Sequence, residues 1–305
     1  MSAASDDSQE SRVATHNFNQ RRRMLLAATF VLSYVFGTML SGYIHGMHVE
    51  ARRTETQMIA QGYAQRIQER LQTALVSTHV LGAMVKQSRG RIAHFDDDAA
   101  ELLTLFPSVS ALQLAPDGVI REIYPLAGNE AALGHDLLAD RKRNREAAAA
   151  VTTRQLTLAG PFRLVQGGMG TVGRLPVFLS TDRGENYFWG FAIALIRVPN
   201  LLDASGVTGL ARSGFRYELW RTHPDTDQKE VFASSGDAAP ENPVEYVFTV
   251  PNGRWVLAIA PDQGWLDNTD YLEIFGLSLL AAIAVTMLQY GALQLLMKGR
   301  SSKTA

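Results

Sequence analysis

The sequence predicts an α+β fold flanked by two transmembrane helices, with a long helix between the first span and the α+β region. Two uncharged segments are long enough to cross a bilayer. A heptad of small or apolar residues follows the first of them. The remainder reads as short strands separated by turn residues, as in Ala115-Pro116-Asp117-Gly118.

Composition excludes several classes of protein. The chain has 305 residues, of which 46% are hydrophobic and 19% charged, and its net charge is −1. This charge argues against a nucleic-acid partner. The chain contains no cysteine, which excludes disulfides, thiol catalysis and cysteine-ligated metal sites.

The two candidate spans are Met24–Ile44, with 21 uncharged residues, and Ile274–Met297, with 24. A bilayer core of about 30 Å needs roughly 20 residues at 1.5 Å each. The first segment is longer than the apolar part of a signal peptide, so we expect an uncleaved anchor.

Charge sets the expected orientation. Arg21–Arg23 precede the first span, and Lys298, Arg300 and Lys303 follow the second. Positive flanks stay in the cytoplasm, although Arg52 and Arg53 weaken the bias. We therefore expect a two-pass inner (plasma) membrane protein with both termini cytoplasmic and residues 47–270 periplasmic or extracytoplasmic.

Residues 1–20 are polar and predict a disordered tail, whereas residues 49–88 predict a long stalk helix. Small and apolar residues recur along the stalk at alternating steps of four and three. This seam comprises Ala60, Ala64, Ile67, Leu71, Ala74, Thr78, Leu81 and Val85. It fits either a homodimer through the stalk helix or a helix that packs on its own domain.

Strands are predicted in two groups, each accompanied by short helices. The first group covers residues 109–114, 119–124, 155–158, 161–166, 175–180 and 187–196. The second group covers residues 215–221, 230–234, 244–250 and 254–260. This pattern indicates two α+β modules, the second smaller than the first.

Gly168-Met169-Gly170-Thr171-Val172-Gly173 spells the G-x-G-x-x-G motif of dinucleotide-binding loops. That motif must open a helix, but Pro176 and the β-type residues that follow exclude one. We therefore interpret the glycines as a hairpin between two strands. They could turn a tight corner or let backbone approach a small ligand.

No catalytic constellation is visible. The histidines are scattered, and no H-E-x-x-H, G-x-S-x-G or S-x-x-K motif occurs. The sequence thus predicts no enzyme, no metal and no cofactor. Polar and aromatic residues do cluster near the central strands, and they are the candidate ligand contacts: Tyr124, Arg163, Gln166, Arg174, Phe178 and Trp189. Arg174 interrupts an apolar run, so it either binds an anion or faces solvent.

Four stretches resemble the CHASE domains, which are extracytoplasmic sensor modules between two membrane spans. They are FPSVSALQLAPDGVIREIYPLAGNEAALGHDLL (Phe106–Leu138), LTLAGPFRLVQGGMGTVGRLPVF (Leu156–Phe178), FWGFAIALI (Phe188–Ile196) and WVLAIAPDQGW (Trp255–Trp265). The resemblance implies a stalk helix and two PAS-like modules, with the ligand in the membrane-distal one. In plant cytokinin receptors of this family a threonine lines the pocket where Arg174 stands here. Asp140 is the nearest candidate for their ligand-binding aspartate.

Together these observations predict a membrane-anchored sensor that binds a small, anionic ligand. The expected segments are a tail (1–23), a first span (24–46), the stalk (47–90), a distal module (91–198), a proximal module (199–270), a second span (271–297) and a tail (298–305). Bacterial members of the resembled family carry a cyclase or kinase output after the second span, and none is visible here. The output is thus expected on a partner or on a missing part of a truncated receptor. An envelope scaffold without a small ligand is the alternative.

Overall fold

The computed structural model describes residues 3–139, 144–165, 167–224, 226–266 and 268–301. The chain divides into two compact units. One is Glu55–Asp262, and the other combines Met1–Thr54 with Gln263–Ala305.

Within the described ranges, six α-helices and nine strands form. The helices are α1 (Ala3–Gln87), α2 (Phe95–Leu105), α3 (Arg145–Thr153), α4 (Val198–Ser205), α5 (Gly209–Arg212) and α6 (Asn268–Ser301). The strands are β1 (Ala111–Pro116), β2 (Glu122–Tyr124), β3 (Thr157–Arg163), β4 (Met169–Ser180), β5 (Asn186–Arg197), β6 (Phe215–Thr222), β7 (Lys229–Ser234), β8 (Val244–Val250) and β9 (Gly253–Pro261).

Helix α1 is longer than the sequence predicts. It begins at Ala3, so residues 3–20, which were expected to be a disordered tail, continue the helix of the first span. This stretch contains neither proline nor glycine. A helix that is already nucleated therefore propagates through it at little cost per residue.

The unit built from the terminal segments pairs α1 with α6 in antiparallel fashion. A methyl group at Gly37 would lie only 3.2 Å from Cβ of Ser278, so small residues set a close helix crossing. Further along, Nε2 of His45 lies 3.7 Å from Oδ1 of Asp270. The Arg53 guanidinium stacks over the Trp265 ring at 4.7 Å.

In the other unit, the described strands form two antiparallel sheets. The five-stranded sheet has the order β2-β1-β5-β4-β3, and the four-stranded sheet has the order β7-β6-β9-β8. Most predicted strands overlap these elements, and Asp117-Gly118 of the predicted turn lies between β1 and β2. Strand β2 begins at Glu122, later than predicted, and β4 begins at Met169, six residues before the predicted start, so Gly170 and Gly173 lie in a strand. Residues 155–166 were predicted as two strands, but the structure has the single strand β3 with a register shift between Ala159 and Phe162.

The stalk part of α1 packs on its own domain. Leu75 and Gly82 meet β4 of the five-stranded sheet, and Gln57 and Gln68 donate to carbonyls of β8 in the four-stranded sheet. Every residue of the predicted seam is at most 1% exposed, from Ala60 to Val85. Because the seam packs against its own domain, the structure bears out the second of the two interpretations of the heptad.

Two glycines allow this close approach. A methyl group at Gly173 of β4 would lie 2.2 Å from Cδ2 of Leu75 in α1. One at Gly82 of α1 would lie 2.9 Å from Cδ2 of Leu175. The G-x-G-x-x-G motif is therefore explained by packing. Gly168 has a φ of +79° in the β3–β4 turn, and Gly170 leaves room for Leu164.

The outer edge of β3 is contacted by Arg221 of β6 and by Asn252 of the turn between β8 and β9. The backbone N–H of Leu158 donates to Oδ1 of Asn252 at 2.5 Å, and Nη1 of Arg221 donates to the carbonyl of Gly160. Arg221 is held in place by Glu230, whose Oε2 accepts from its Nε at 2.8 Å. These bonds satisfy edge groups that would otherwise be open to strand addition.

We expect Gly173→Ala to destabilise the protein by about 1–3 kcal/mol, because the added methyl group overlaps Leu75 in a packed interface. The cost should fall when Leu75 is also changed to alanine, which opens the space. Gly253→Ala is the control, since its nearest neighbour would be 3.8 Å away. Thermal unfolding followed by tryptophan fluorescence measures the effect. Equal losses for Gly173→Ala with and without Leu75 would contradict the packing account.

Candidate ligand-binding site

A cavity lies on the face of the five-stranded sheet that points away from α1. It encloses about 430 Å³ of space between protein atoms, including its open mouth. Most of the lining is apolar. The residues are Gln113, Ile120, Ala132, His135, Leu137, Phe162, Leu164, Val165, Val172, Arg174, Ile193 and Leu195. Small-molecule sites commonly have this character, with a mostly apolar wall and a few placed polar groups.

A single row of residues crosses the cavity floor from one sheet edge to the other. Strand register aligns Ile123 with Gln113, Gln113 with Ile193, Ile193 with Arg174, and Arg174 with Thr157. Cross-strand neighbours share a sheet face, so these five side chains point to the cavity side. All five are less than 5% exposed. On the cavity floor, the apolar side chain of Ile193 therefore stands between the polar side chains of Gln113 and Arg174.

The rows on either side of this line are apolar. One runs through Ala111, Leu195, Val172 and Ala159, and the other contains Ala115, Phe191 and Pro176. Gln113 and Arg174 are thus polar side chains set into an apolar surface. Both side chains line the cavity, so they are candidate polar contacts for a molecule bound there.

Arg174 gives the cavity its charge. Its side chain is 2% exposed and lines the cavity together with Gln113 and His135. Among the described lining residues there is no aspartate or glutamate. The charge of the described lining therefore favours an anionic group. A planar guanidinium can bind a carboxylate or phosphate through two parallel hydrogen bonds.

The other predicted contacts do not converge on this cavity. Tyr124 pairs with Leu112, which places it on the sheet face towards α1. Arg163 is exposed at the end of β3. Trp189 packs near Gly90 and Leu179, also away from the cavity lining.

Phe178 lies outside the lining as well. Its ring contacts Phe188 edge-to-face at 5.7 Å, and the Arg154 guanidinium covers it at 4.6 Å. Asp140 and Gln166 fall outside the described residues. Of the seven residues predicted from the sequence, the structure therefore places Arg174 in the cavity, and the roles of all seven stay predictions.

Gln113 and His135 are lining residues that the sequence interpretation missed. For Gln113 a signal was available, because a lone amide stands between Leu112 and Leu114 in the apolar stretch ALQLA. His135 lies in a loop after the short 3-10 helix Glu130–Ala132. A loop has no helical or strand periodicity in the sequence from which the position of this side chain could be predicted. Within the described residues, no three His, Asp or Glu side chains are grouped so as to hold a metal ion.

The shifted pKa values belong to groups outside the cavity. Burial raises the pKa of the Glu122 carboxyl, and the nearby charge of Asp96 raises it further. Burial, with a smaller contribution from the charge of Asp203, raises the pKa of the Tyr217 hydroxyl. Neither residue lines the cavity.

A protein-family model matches residues 48–232, and that model describes the CHASE domain. The match covers more than half of the chain. The chain belongs to the CHASE domain family. This confirms the resemblance inferred from the sequence. The CHASE match begins in the stalk part of α1 and ends within β7, so the quoted stretch Trp255–Trp265 lies beyond it.

Two solved structures that are similar to this CHASE protein are a ligand-binding receptor and a sensory domain. An extracellular ligand-binding receptor from Desulfohalobium retbaense aligns with a TM-score of 0.49 and 12% identity over 65% of this chain, which spans 39% of the receptor chain. The sensory domain of the Campylobacter jejuni chemoreceptor Tlp3 aligns with a TM-score of 0.47 and 10% identity, covering 72% of this chain and 97% of that domain. No curated protein matches the sequence.

Two helical segments of the CHASE protein have the length and apolarity needed to cross a membrane. The most apolar window of Asn19–Gln87 has a mean hydropathy of 1.8, and that of Asp270–Leu296 has a value of 2.0. These windows are 0% and 11% buried. A helix from a soluble core would instead be covered by protein.

We expect Glu122→Gln to raise the melting temperature at neutral pH and to leave it nearly unchanged near pH 4. The folded-state pKa of Glu122 lies above the ordinary value of 4.5, so the charged carboxylate opposes folding at higher pH. Below 4.5 the carboxyl is protonated in both states, and this contribution vanishes.

Melting curves between about pH 4 and pH 8 test this difference. Glu101→Gln, on the exposed side of α2, is the matched control. A shift of the same size at every pH would show that the effect of Glu122→Gln is not electrostatic.

Proposed function

We propose that this CHASE protein is a membrane-anchored extracytoplasmic sensor whose cavity binds a small organic anion. The observation that carries the proposal is the buried guanidinium of Arg174 on the apolar cavity floor. In a low-dielectric site, an anionic ligand interacts with such a group much more strongly than in water. The five-stranded and four-stranded sheets would then be the two PAS-like modules that the family resemblance implies.

The membrane arrangement follows from the two apolar helices and their charged flanks. The first part of α1 and the central part of α6 would cross the bilayer. Arg21–Arg23 and the basic residues after the second span favour cytoplasmic ends, which leaves residues 47–270 outside the cytoplasm. The domain that contains the cavity would thus face the periplasm or cell exterior.

A direct path for the signal runs through β4. Arg174 faces the cavity, and its neighbour Gly173 faces Leu75 of α1 on the opposite side of the sheet. A ligand that binds Arg174 and displaces its side chain would therefore act on β4. The opposite face of β4 is in close contact with the stalk helix. The ligand shifts the protein between two arrangements only if it binds one of them more tightly. The output would be supplied by a partner or by a segment beyond this sequence.

Any homodimer through the stalk would use the exposed face of α1. The seam residues are buried, whereas Met58, Val76 and Val80 are exposed by 63%, 48% and 36%. A dimer formed through this face would leave the contact between α1 and the sheet intact.

We expect that Arg174→Met weakens binding of the ligand by about 10- to 100-fold, as loss of a charge-assisted hydrogen-bond pair predicts. The full-length protein in detergent is screened by thermal shift against small carboxylates and phosphates. Arg163→Met is the matched control, because Arg163 is an exposed arginine of the same hairpin. Stabilisation of wild type and Arg163→Met, but not of Arg174→Met, supports the site.

Two other results of that screen would contradict the proposal. Equal stabilisation of all three proteins would place the anion elsewhere. If no small anion raises the melting temperature and the protein instead co-purifies with an envelope protein, the scaffold alternative is favoured.

The orientation is tested with single cysteines, for which the cysteine-free chain gives no background. We expect Asp182→Cys, in the exposed β4–β5 loop, to react with a membrane-impermeant maleimide in intact spheroplasts. Asn17→Cys should react only after the membrane is permeabilised. The reverse pattern would place the CHASE domain in the cytoplasm and remove the basis of the proposal.

A further inference from the structure

We infer that Gln113 is a second ligand contact and that the ligand is a bifunctional organic acid. It would carry an acidic group at one end, a neutral hydrogen-bonding group such as an amide or hydroxyl at the other, and an apolar middle. This inference rests on the proposed function, because it assigns the acidic end to Arg174.

The first step is the spacing of the two polar side chains. Gln113 lies on β1 and Arg174 on β4, and both pair with Ile193 of the intervening strand β5. Neighbouring strands are about 4.8 Å apart, so the backbones at Gln113 and Arg174 are separated by about 10 Å. One small group cannot be centred on both residues. Two groups at opposite ends of one molecule can reach them.

The second step concerns the surroundings of the Gln113 amide. The residue is 3% exposed, and both β1 neighbours, Leu112 and Leu114, are also buried. The side chain lines the cavity, so a molecule in the cavity can reach its amide. An amide set into an apolar surface is stabilised by hydrogen bonds, and a ligand that supplies both a donor and an acceptor would provide them.

The third step is the apolar character of the region between the two ends. Ile193 separates Gln113 from Arg174 on the floor, and Phe162, Leu164, Val172 and Leu195 add apolar wall. This lining fits a short alkyl or aryl spacer. The space of about 430 Å³ includes open solvent at the mouth, so a molecule that fits between the two ends is small.

Matched acids test the inference on the full-length protein in detergent. One pair is 4-carbamoylbenzoate with 4-methylbenzoate, and the other is 4-carbamoylbutanoate with 5-methylhexanoate. In each pair a terminal amide is replaced by an apolar group. Affinities are measured by thermal shift for wild type, Gln113→Met, Gln113→Leu and Arg174→Met. Two replacements of Gln113 are used so that a folding defect in one does not decide the result.

In at least one pair, we expect wild type to bind the carbamoyl acid about tenfold more tightly than its apolar partner, as one satisfied buried amide predicts. Gln113→Met and Gln113→Leu should lose this preference and still bind the apolar acid. Arg174→Met should lose both acids.

The outcomes separate the two proposals. If the acids bind in an Arg174-dependent way but wild type and the Gln113 variants show no amide preference, the role of Gln113 is overturned and the anion site stands. If no acid of either pair binds and the wider anion screen also yields nothing, both are overturned.

Discussion

The close contact between α1 and the five-stranded sheet organises the domain that contains the cavity. Gly82 and Gly173 remove the side chains that would keep helix and sheet apart, and the helix then packs closely on one face of the sheet. The second face is left to build the cavity. Because side chains alternate between faces, the residues that contact α1 and those that line the cavity are neighbours in sequence. The packing of the helix and the lining of the cavity are therefore set by adjacent residues of each central strand.

Most of the fold could be predicted from local signals. Turn residues such as Pro116-Asp117-Gly118 marked strand ends, and the glycine-rich segment was recognised as a hairpin because Pro176 excludes a helix. Two features were beyond local reasoning. The seam of α1 has the period of a packed helix, but a period does not say whether the helix packs on its own domain or on another copy. The segment around Gly160-Pro161 was predicted as two strands, but the structure has the single strand β3 there. Strand β3 lies at the edge of its sheet, and an edge strand tolerates proline because its outer N–H groups need no partner strand.

The site was less predictable than the fold. Arg174 stands out because a charge in an apolar run is conspicuous, whereas Gln113 is uncharged and passes as part of an ordinary strand. Tyr124 and Trp189 were chosen for their chemistry, but strand register places them away from the cavity. Register depends on pairing between segments distant in sequence, and a shift of one residue moves a side chain to the other face. That Gln113 and Arg174 lie in one row on the cavity floor can therefore be recognised only when the strands are aligned.

The covered edge of β3 determines how the protein can be divided. Arg221 lies on β6 of the four-stranded sheet and Asn252 in the turn between β8 and β9, yet both bond to backbone groups of the five-stranded sheet. The CHASE match ends at residue 232, before Asn252 is reached. A recombinant fragment trimmed to that match, or to the first sheet alone, would leave Leu158 without its acceptor and open a strand edge to solvent. Such a fragment would be prone to self-association through β-strand addition, so the soluble region for crystallography should extend to Asp262.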